Sequence, residues 1–197
     1  PDHCIPGTVV VDRRYLAIGA RWPDGDAAIR ASLLVGSSGF PPPVELARTH
    51  VDPLTRDSSV PTIAVPINAL FNDGVRLVGL RSRPSPAAGS VDIDLVWQAE
   101  APPAHDHTVF VHLLGRDGTV LSQHDGPPAS GRWPTSWWLK GQVVVDRHTL
   151  PAQTGALPPG ASLEIGLYDP ANGQRLHLEQ PGDAIAAGDA VRVAMSP

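Results

Sequence analysis

The sequence is poor in the residues that carry redox, metal and nucleic-acid chemistry. Its 197 residues include a single cysteine, Cys4, which excludes an internal disulfide and a thiolate metal cluster. Lys140 is the only lysine among 15 basic residues, and the formal net charge is −5. The arginines are spread along the chain, whereas a surface that tracks phosphates needs clustered positive charge. We therefore predict no nucleic-acid partner and no polybasic membrane patch.

Long helices and long apolar runs are also missing. The 22 prolines and 19 glycines leave little room for extended helices. No apolar stretch approaches the roughly 18 residues that a membrane span needs, although 42% hydrophobic residues are enough for a core. The only methionine is Met195, so we expect the chain to be a piece of a longer protein.

Apolar residues recur at every second position in several short segments separated by turn-forming residues. This alternation is typical of strands with one buried face, and no helical periodicity lies between the segments. It predicts an all-β fold, an antiparallel β-sandwich of jelly-roll or immunoglobulin-like type, with an extra strand-rich segment at the N-terminus. The predicted core contains Val91, Ile93, Leu95, Trp97, Phe110, Leu163, Ile165 and Leu167.

Two short segments between apolar runs are predicted to be hairpin turns. Residues 115–118 read Gly-Arg-Asp-Gly, and residues 169–173 read Asp-Pro-Ala-Asn-Gly. Glycine supplies a positive φ and Asp or Asn bonds the turn backbone, which favours tight connections between antiparallel strands.

A polar, proline-containing region marks the predicted domain boundary. We divide the chain into a strand-rich segment, 1–60, and a β-sandwich domain, 61–197. Residues 7–16 match residues 141–150 at seven of ten positions, so the first segment is a candidate partial copy of the domain that follows. The alternative is a coincidence between two valine-rich strands.

An ordered series of segments resembles a known module. The series consists of 71–80 (FNDGVRLVGL), 95–99 (LVWQA), 108–114 (TVFVHLL), 134–138 (PTSWW) and 166–170 (GLYDP). Over about 110 residues it is similar to the C-terminal β-sandwich that follows the membrane-spanning part of some bacterial glycosyltransferases of the protein O-mannosyltransferase type. The resemblance implies an extracytoplasmic location, tethered to the membrane through a parent membrane domain. Catalysis in such proteins belongs to the membrane part, so the resemblance implies no catalytic residue and no cofactor here.

Histidines and carboxylates offer weaker candidates for chemistry. His105 and His107, with His112 and His124 farther along, form the only pattern that suggests zinc ligands, but the preceding prolines favour an exposed loop. We predict no metal ligand. His112 is expected to be buried and paired with a carboxylate, Asp125 or Asp146.

A pair of acidic residues in one strand suggests glycosidase chemistry only weakly. Asp92 and Asp94 point to one strand face, which we interpret as a solvated edge rather than as a catalytic carboxylate pair.

Tryptophan is concentrated in one irregular segment, which yields the candidate site. Exposed indole faces beside polar side chains are suited to sugars, because the ring stacks on a pyranose while the neighbours bond its hydroxyls. Trp137 is expected to plug the end of the sandwich. The predicted carbohydrate-binding residues are Trp133, Trp138, Arg132, Asp125 and His124.

Three functions remain open at this point. The sharpest is a non-catalytic module that binds carbohydrate or a lipid-linked sugar. The second is a structural or partner-docking domain, and the third is a small metal-dependent enzyme.

Overall fold

The computed structural model describes residues 25–31, 42–51, 55–85, 89–152 and 157–195. The chain divides into two compact units, Pro1–Leu54 and Thr55–Pro197. Cys4 and the predicted repeat segment 7–16 lie outside the described residues.

The described part of the first unit is a hairpin. Strand β1 (Gly25–Ala31) pairs antiparallel with β2 (Val44–Val51), and the register shifts by one residue after Ile29. Such a shift is the mark of a β-bulge.

The second unit is built almost entirely from short strands. Between them lie three short 3₁₀ turns, Asn72–Gly74, Pro128–Gly131 and Thr135–Trp137. The prediction of an all-β fold is confirmed. In the described part of the chain, no helix is long and apolar enough to cross a membrane. The strands are β3 (Val65–Phe71), β4 (Val75–Pro84), β5 (Ser90–Ala99), β6 (Thr108–Leu114), β7 (Val120–Gly126), β8 (Val143–Pro151), β9 (Ser162–Tyr168), β10 (Leu178–Gln180), β11 (Ile185–Ala186) and β12 (Val191–Ala194).

These ten strands form two antiparallel sheets of five. The first sheet has the order β10-β3-β4-β5-β8, and the second has the order β11-β12-β9-β6-β7. Apolar residues from both sheets form one buried cluster, so the unit is a β-sandwich. The edge strands β7 and β8 belong to opposite sheets and contact each other, which is where the site described below lies.

All eight predicted core residues are buried, but one lies on the opposite face from the rest. Val109 and Val111 of β6 belong to the central cluster, so strand alternation places Phe110 on the outer face of its sheet. Phe110 is covered there by the guanidinium of Arg175, 4.4 Å from the ring centroid. The ring also lies against Gly166, where a Cβ atom would come within 2.5 Å of it. Phe110 is therefore buried beneath a charged group rather than in the shared core.

Both predicted hairpin turns are present, but the second joins strands that pair only beside the turn. Residues 115–118 join β6 to β7, with Gly118 at φ +84° and its N–H donating to the Gly115 carbonyl. At the turn 169–173, the N–H of Asp169 donates to the carbonyl of Gln174 and the N–H of Leu176 donates to the carbonyl of Leu167. The chain then crosses to the other sheet as β10, where Leu178 enters the core.

The described strands agree with the predicted repeat only in part. The offset of 134 residues places β1 on β9 and β2 on β10. β1 and β2 pair with each other, whereas β9 and β10 belong to opposite sheets. Beside the turn, however, the bridge between Tyr168 and Arg175 pairs the end of β9 antiparallel with the chain just before β10. The repeat therefore stays a prediction.

Residues 55–60 lie with the sandwich rather than with the first unit. The N–H of Val143 donates to the carbonyl of Asp57 at 2.7 Å, which adds a bridge beside β8. The two units meet at 54/55, six residues before the boundary inferred from the sequence.

Candidate functional site

The connection between β7 and β8 contains a turn with an unusual backbone. Ala129 and Ser130 have φ values of +51° and +56°, a region that residues with a side chain seldom occupy. The Ala129 N–H donates to Oδ1 of Asp146 on β8 at 2.8 Å, which holds the turn in this conformation. Because such strain persists only when its surroundings enforce it, and because it clusters at ligand sites, the turn marks a candidate site.

One groove beside this turn, which we call the indole groove, contains a tryptophan. Its volume is about 270 Å³. Trp133 is half-buried there, and Arg56 holds its guanidinium 5.2 Å from the centroid of the indole ring. Arg56 also donates to Oε1 of Gln142 at 2.6 Å, so the arginine has a fixed position. The groove is lined by Thr55, Asp57, Ala129, Arg132, Trp133, Gln142, Val143, Val144 and Val145.

The expectation that Trp138 faces a sugar is wrong. Trp138 is fully buried in the core cluster, and its indole N–H donates to the carbonyl of Trp133 at 3.0 Å. Its own backbone N–H closes the 3₁₀ turn by donating to the carbonyl of Thr135. Trp137, which we expected to plug the sandwich, is only half-buried. Trp138 fills that role.

A second groove, which we call the histidine groove, lies on the other side of the turn. Its volume is about 220 Å³. It contains two of the predicted residues, His124 and Asp125, while Arg132 and Trp133 lie in the indole groove. The predicted site is therefore split between two grooves flanking one turn. The histidine groove is lined by His124, Asp125, Gly126, Pro127, Ser130, Asp146, Arg147 and His148.

A chain of hydrogen bonds joins the two sheets in the wall of the histidine groove. Nδ1 of His124 lies 2.8 Å from Nδ1 of His148, with the two rings at 80°. Nε2 of His148 lies 2.8 Å from Oδ2 of Asp146, and both of these residues are 1% exposed. Burial lowers the pKa of His124, as does the nearby charge of His148, against the opposing attraction of Asp146 and Asp125.

Sequence analysis missed Asp146 and His148 as site residues. They alternate with exposed residues on β8 and share the inward face with Val144 and Leu150. Two ionisable residues on the apolar face of a strand were the available signal. Their partner, His124, belongs to the other sheet, and that contact depends on the sandwich topology.

Of the other histidines in the predicted ligand pattern, His107 and His112 each lie near separate carboxylates. His107 is buried, with Nε2 2.8 Å from Oδ2 of Asp73, while His105 is exposed. His112 is half-buried on the outer face, 4.0 Å from Asp125 and from Glu164. Of its two expected carboxylate partners, Asp125 lies near His112, whereas Asp146 is bonded to His148 instead. Within the described ranges, no group of three or more ligating side chains could hold a metal ion.

The interpretation of Asp92 and Asp94 as a solvated edge is wrong. They are 4% and 1% exposed, because β5 lies inside its sheet between β4 and β8. Arg81 and Arg147 donate to Asp94 at 2.9 and 2.7 Å, and Thr149 donates to Asp92. Burial raises the pKa of Asp94, but the hydrogen bonds from Arg147 and Arg81 outweigh it and lower the pKa overall. These carboxylates are engaged in a structural network.

The fold and the grooves together define an all-β sandwich module with two small surface grooves beside a strained turn. No family model matches the sequence, and no curated protein matches it. Two chains of known structure match. One is the C-terminal domain of wzt, which is 13% identical, with a TM-score of 0.43 over 66% of this chain and 78% of that chain. A likeness of this strength identifies neither a family nor a ligand.

Proposed function

We propose that this chain is a non-catalytic, carbohydrate-binding β-sandwich module of a larger bacterial membrane protein of glycosyltransferase type. The observation that carries the proposal is the indole groove, where part of the Trp133 ring lies beside Arg132, Asp57 and Gln142. An aromatic ring with hydrogen-bonding groups at its rim is the combination that a sugar requires.

Each part of the indole groove has a physical role in this proposal. Arg56 packs over the indole of Trp133 and holds its orientation, so stacking costs little ordering entropy. Arg132 is exposed and supplies hydrogen-bond donors, while the carboxylate of Asp57 accepts. A pyranose offers an apolar face to the ring and hydroxyls to both kinds of group.

The size of the indole groove limits the ligand and its affinity. A volume of about 270 Å³ lies just below the range of roughly 300–1,000 Å³ typical of drug-sized ligands. The groove therefore suits a single sugar ring. Contact with an aromatic face contributes on the order of 1–2 kcal/mol, whereas a Kd of about 1 mM needs about 4 kcal/mol. Hydrogen bonds to the sugar hydroxyls must supply the rest, so we expect a Kd in the millimolar range or weaker for an isolated sugar.

The proposed context rests on the ordered segments that resemble the O-mannosyltransferase module. In that context the module is extracytoplasmic, its partner is the parent membrane domain, and a lipid-linked sugar is one source of the ligand. Apolar spans in the sequence upstream of this chain are the expected result. A full-length protein without membrane spans would overturn the context but not the sugar site.

Sugar binding is tested by titrating the chain with mannose- and glucose-containing glycans in a calorimeter. We expect weak binding that Trp133→Ala and Arg132→Ala both reduce. Trp137→Phe is the matched control, because Trp137 neighbours the site without lining either groove. Thermal melts of each variant separate lost binding from lost folding. Absence of heat at high sugar concentration, or equal binding by Trp133→Ala and the parent, would overturn the proposal.

One observation favours the docking function as a second candidate. Val120 and Leu121 are 54% and 50% exposed on the edge strand β7. An exposed apolar edge strand is a surface on which another chain can add a strand. If no glycan binds, we expect Leu121→Lys to weaken association with the parent protein, measured by co-purification.

A further inference from the structure

The hydrogen-bonded chain in the wall of the histidine groove connects two sheets through groups that exchange protons. We propose that Asp146, His148 and His124 form a proton-controlled clasp that regulates sugar binding at the adjacent turn. The clasp is closed while a single proton lies between the two Nδ1 atoms, and it opens when both imidazoles are positively charged. The ligand named here rests on the proposed function, whereas the clasp can be tested without any ligand.

The proton count follows from the hydrogen-bond geometry. An ionised carboxylate only accepts, so Oδ2 of Asp146 requires a proton on Nε2 of His148. The contact between the two Nδ1 atoms, at 2.8 Å, then needs one donor and one acceptor. One extra proton is tolerated, because a charged His148 faces Asp146 and its Nδ1–H donates to a neutral His124. A second extra proton places an Nδ1–H on both rings, so two donors face each other and no hydrogen bond can form between them.

The groups around the pair disfavour a second added proton, which would have to reside on His124. Asp146 is buried, and its carboxylate is bonded to His148 rather than to His124. Burial and the charge on His148 lower the pKa of His124, which places the opening step below the ordinary histidine range. The ionisable groups near the pair are Asp125 on β7, Asp146 and Arg147 on β8, and His112 on β6, which lies 4.0 Å from Asp125.

The clasp is linked to both grooves through Asp146. Its Oδ1 accepts the N–H of Ala129, whose φ of +51° belongs to the strained turn. Ala129 lines the indole groove, and Ser130 lines the histidine groove. When the two rings separate, the carboxylate loses its rigid support and the strained turn can relax. Both grooves then change shape together.

Nuclear magnetic resonance of the ligand-free chain tests the clasp. At about pH 8, imidazole ¹⁵N shifts should show neutral His148 with its proton on Nε2. As the pH falls to about 4.5, the His124 ring and the Ala129 amide should shift with one common midpoint, below the ordinary histidine value of about 6.5. A His148 proton on Nδ1, or an Ala129 amide that does not follow His124, would overturn the proposal.

A substitution at His124 separates a clasp from simple burial. In His124→Asn, the amide can donate to His148 and can flip to accept from it, without gaining charge. We expect the fold to be kept and the Ala129 transition to disappear. His105→Asn is the matched control, because His105 is an exposed loop histidine, and it should leave the transition unchanged. An unchanged Ala129 transition in His124→Asn would refute the clasp. If this variant does not fold, the tautomer of His148 in the parent chain decides the question.

Sugar titration at two pH values connects the clasp to the ligand. Below the opening midpoint, the apparent Kd of the parent should rise by up to about tenfold per pH unit, since only the closed form binds. His124→Asn should bind equally at both values. If the parent binds no sugar at neutral pH, the proposed function fails, while the ligand-free shifts still decide the clasp. If the ligand-free shifts show that the clasp opens but the Kd for sugar does not change with pH, the proposed regulation is refuted.

Discussion

The buried carboxylate of Asp94 should contribute more to stability than any exposed ion pair of the sandwich. Its side chain is 1% exposed and accepts from Arg81 at 2.9 Å and from Arg147 at 2.7 Å. Hydrogen bonds to a charged group contribute about 1.5–3 kcal/mol each, which sets an upper limit of about 6 kcal/mol for Asp94→Ala.

Solvent reduces this upper limit. The side chains of Arg81 and Arg147 are 40% and 54% exposed, so they regain water when the carboxylate is removed. No buried cation is left without a partner, and the penalty of about 3–5 kcal/mol for that situation does not apply in full. We therefore expect Asp94→Ala to reduce the free energy of unfolding by about 2–3 kcal/mol, and Asp94→Asn by about 1–2 kcal/mol.

Urea unfolding at pH 7, followed by tryptophan fluorescence, measures both values. Glu100→Ala removes the exposed ion pair with Arg76 and serves as the control, with an expected cost below about 1 kcal/mol. Since the pKa of Asp94 is lowered in the folded state, its stabilisation is present above about pH 4 and is lost as the pH falls through the folded-state pKa. Equal costs for Asp94→Ala and Glu100→Ala would refute this reasoning.

Two further substitutions test the packing of β9. Ile165 is fully buried on the strand between β6 and β12, so Ile165→Asp should unfold the sandwich, as measured by circular dichroism. Ile165→Val should reduce the free energy of unfolding by only about 0.5–1.5 kcal/mol. A folded Ile165→Asp would contradict the assigned core. Gly166→Ala should cost about 1–3 kcal/mol in urea unfolding, because the new Cβ would lie 2.5 Å from Phe110. Gly126→Ala is the control, since its Cβ would meet its nearest neighbour at 3.5 Å, and equal costs for the two would disprove the close approach.

The strands could be predicted from sequence because strand periodicity is local. In β9, alternate residues such as Leu163 and Ile165 face the core, so their spacing alone indicated a buried face. The same rule could not decide which face of β6 turns inward, because Phe110 is as apolar as its neighbours. Gly166 on the next strand makes room for that ring, and strand pairing is not visible in a single segment.

The candidate site was only partly predictable. Trp133 and Trp138 lie in an irregular segment, where no period distinguishes a groove residue from a core residue. The buried state of Asp94 depends on β5 being an inner strand flanked by arginines on both neighbours. The bond between His124 and His148 joins two sheets, and such contacts follow from topology rather than from spacing.

The most direct test of sugar binding follows each tryptophan separately. The sequence contains five tryptophans, so an amide correlation spectrum of the ¹⁵N-labelled chain shows at most five indole N–H signals. On addition of a methyl mannoside or methyl glucoside, we expect the Trp133 signal to move with a millimolar midpoint. The signal of the fully buried Trp97 should stay in place. A Trp133 signal that does not move at high sugar concentration would contradict the proposed function.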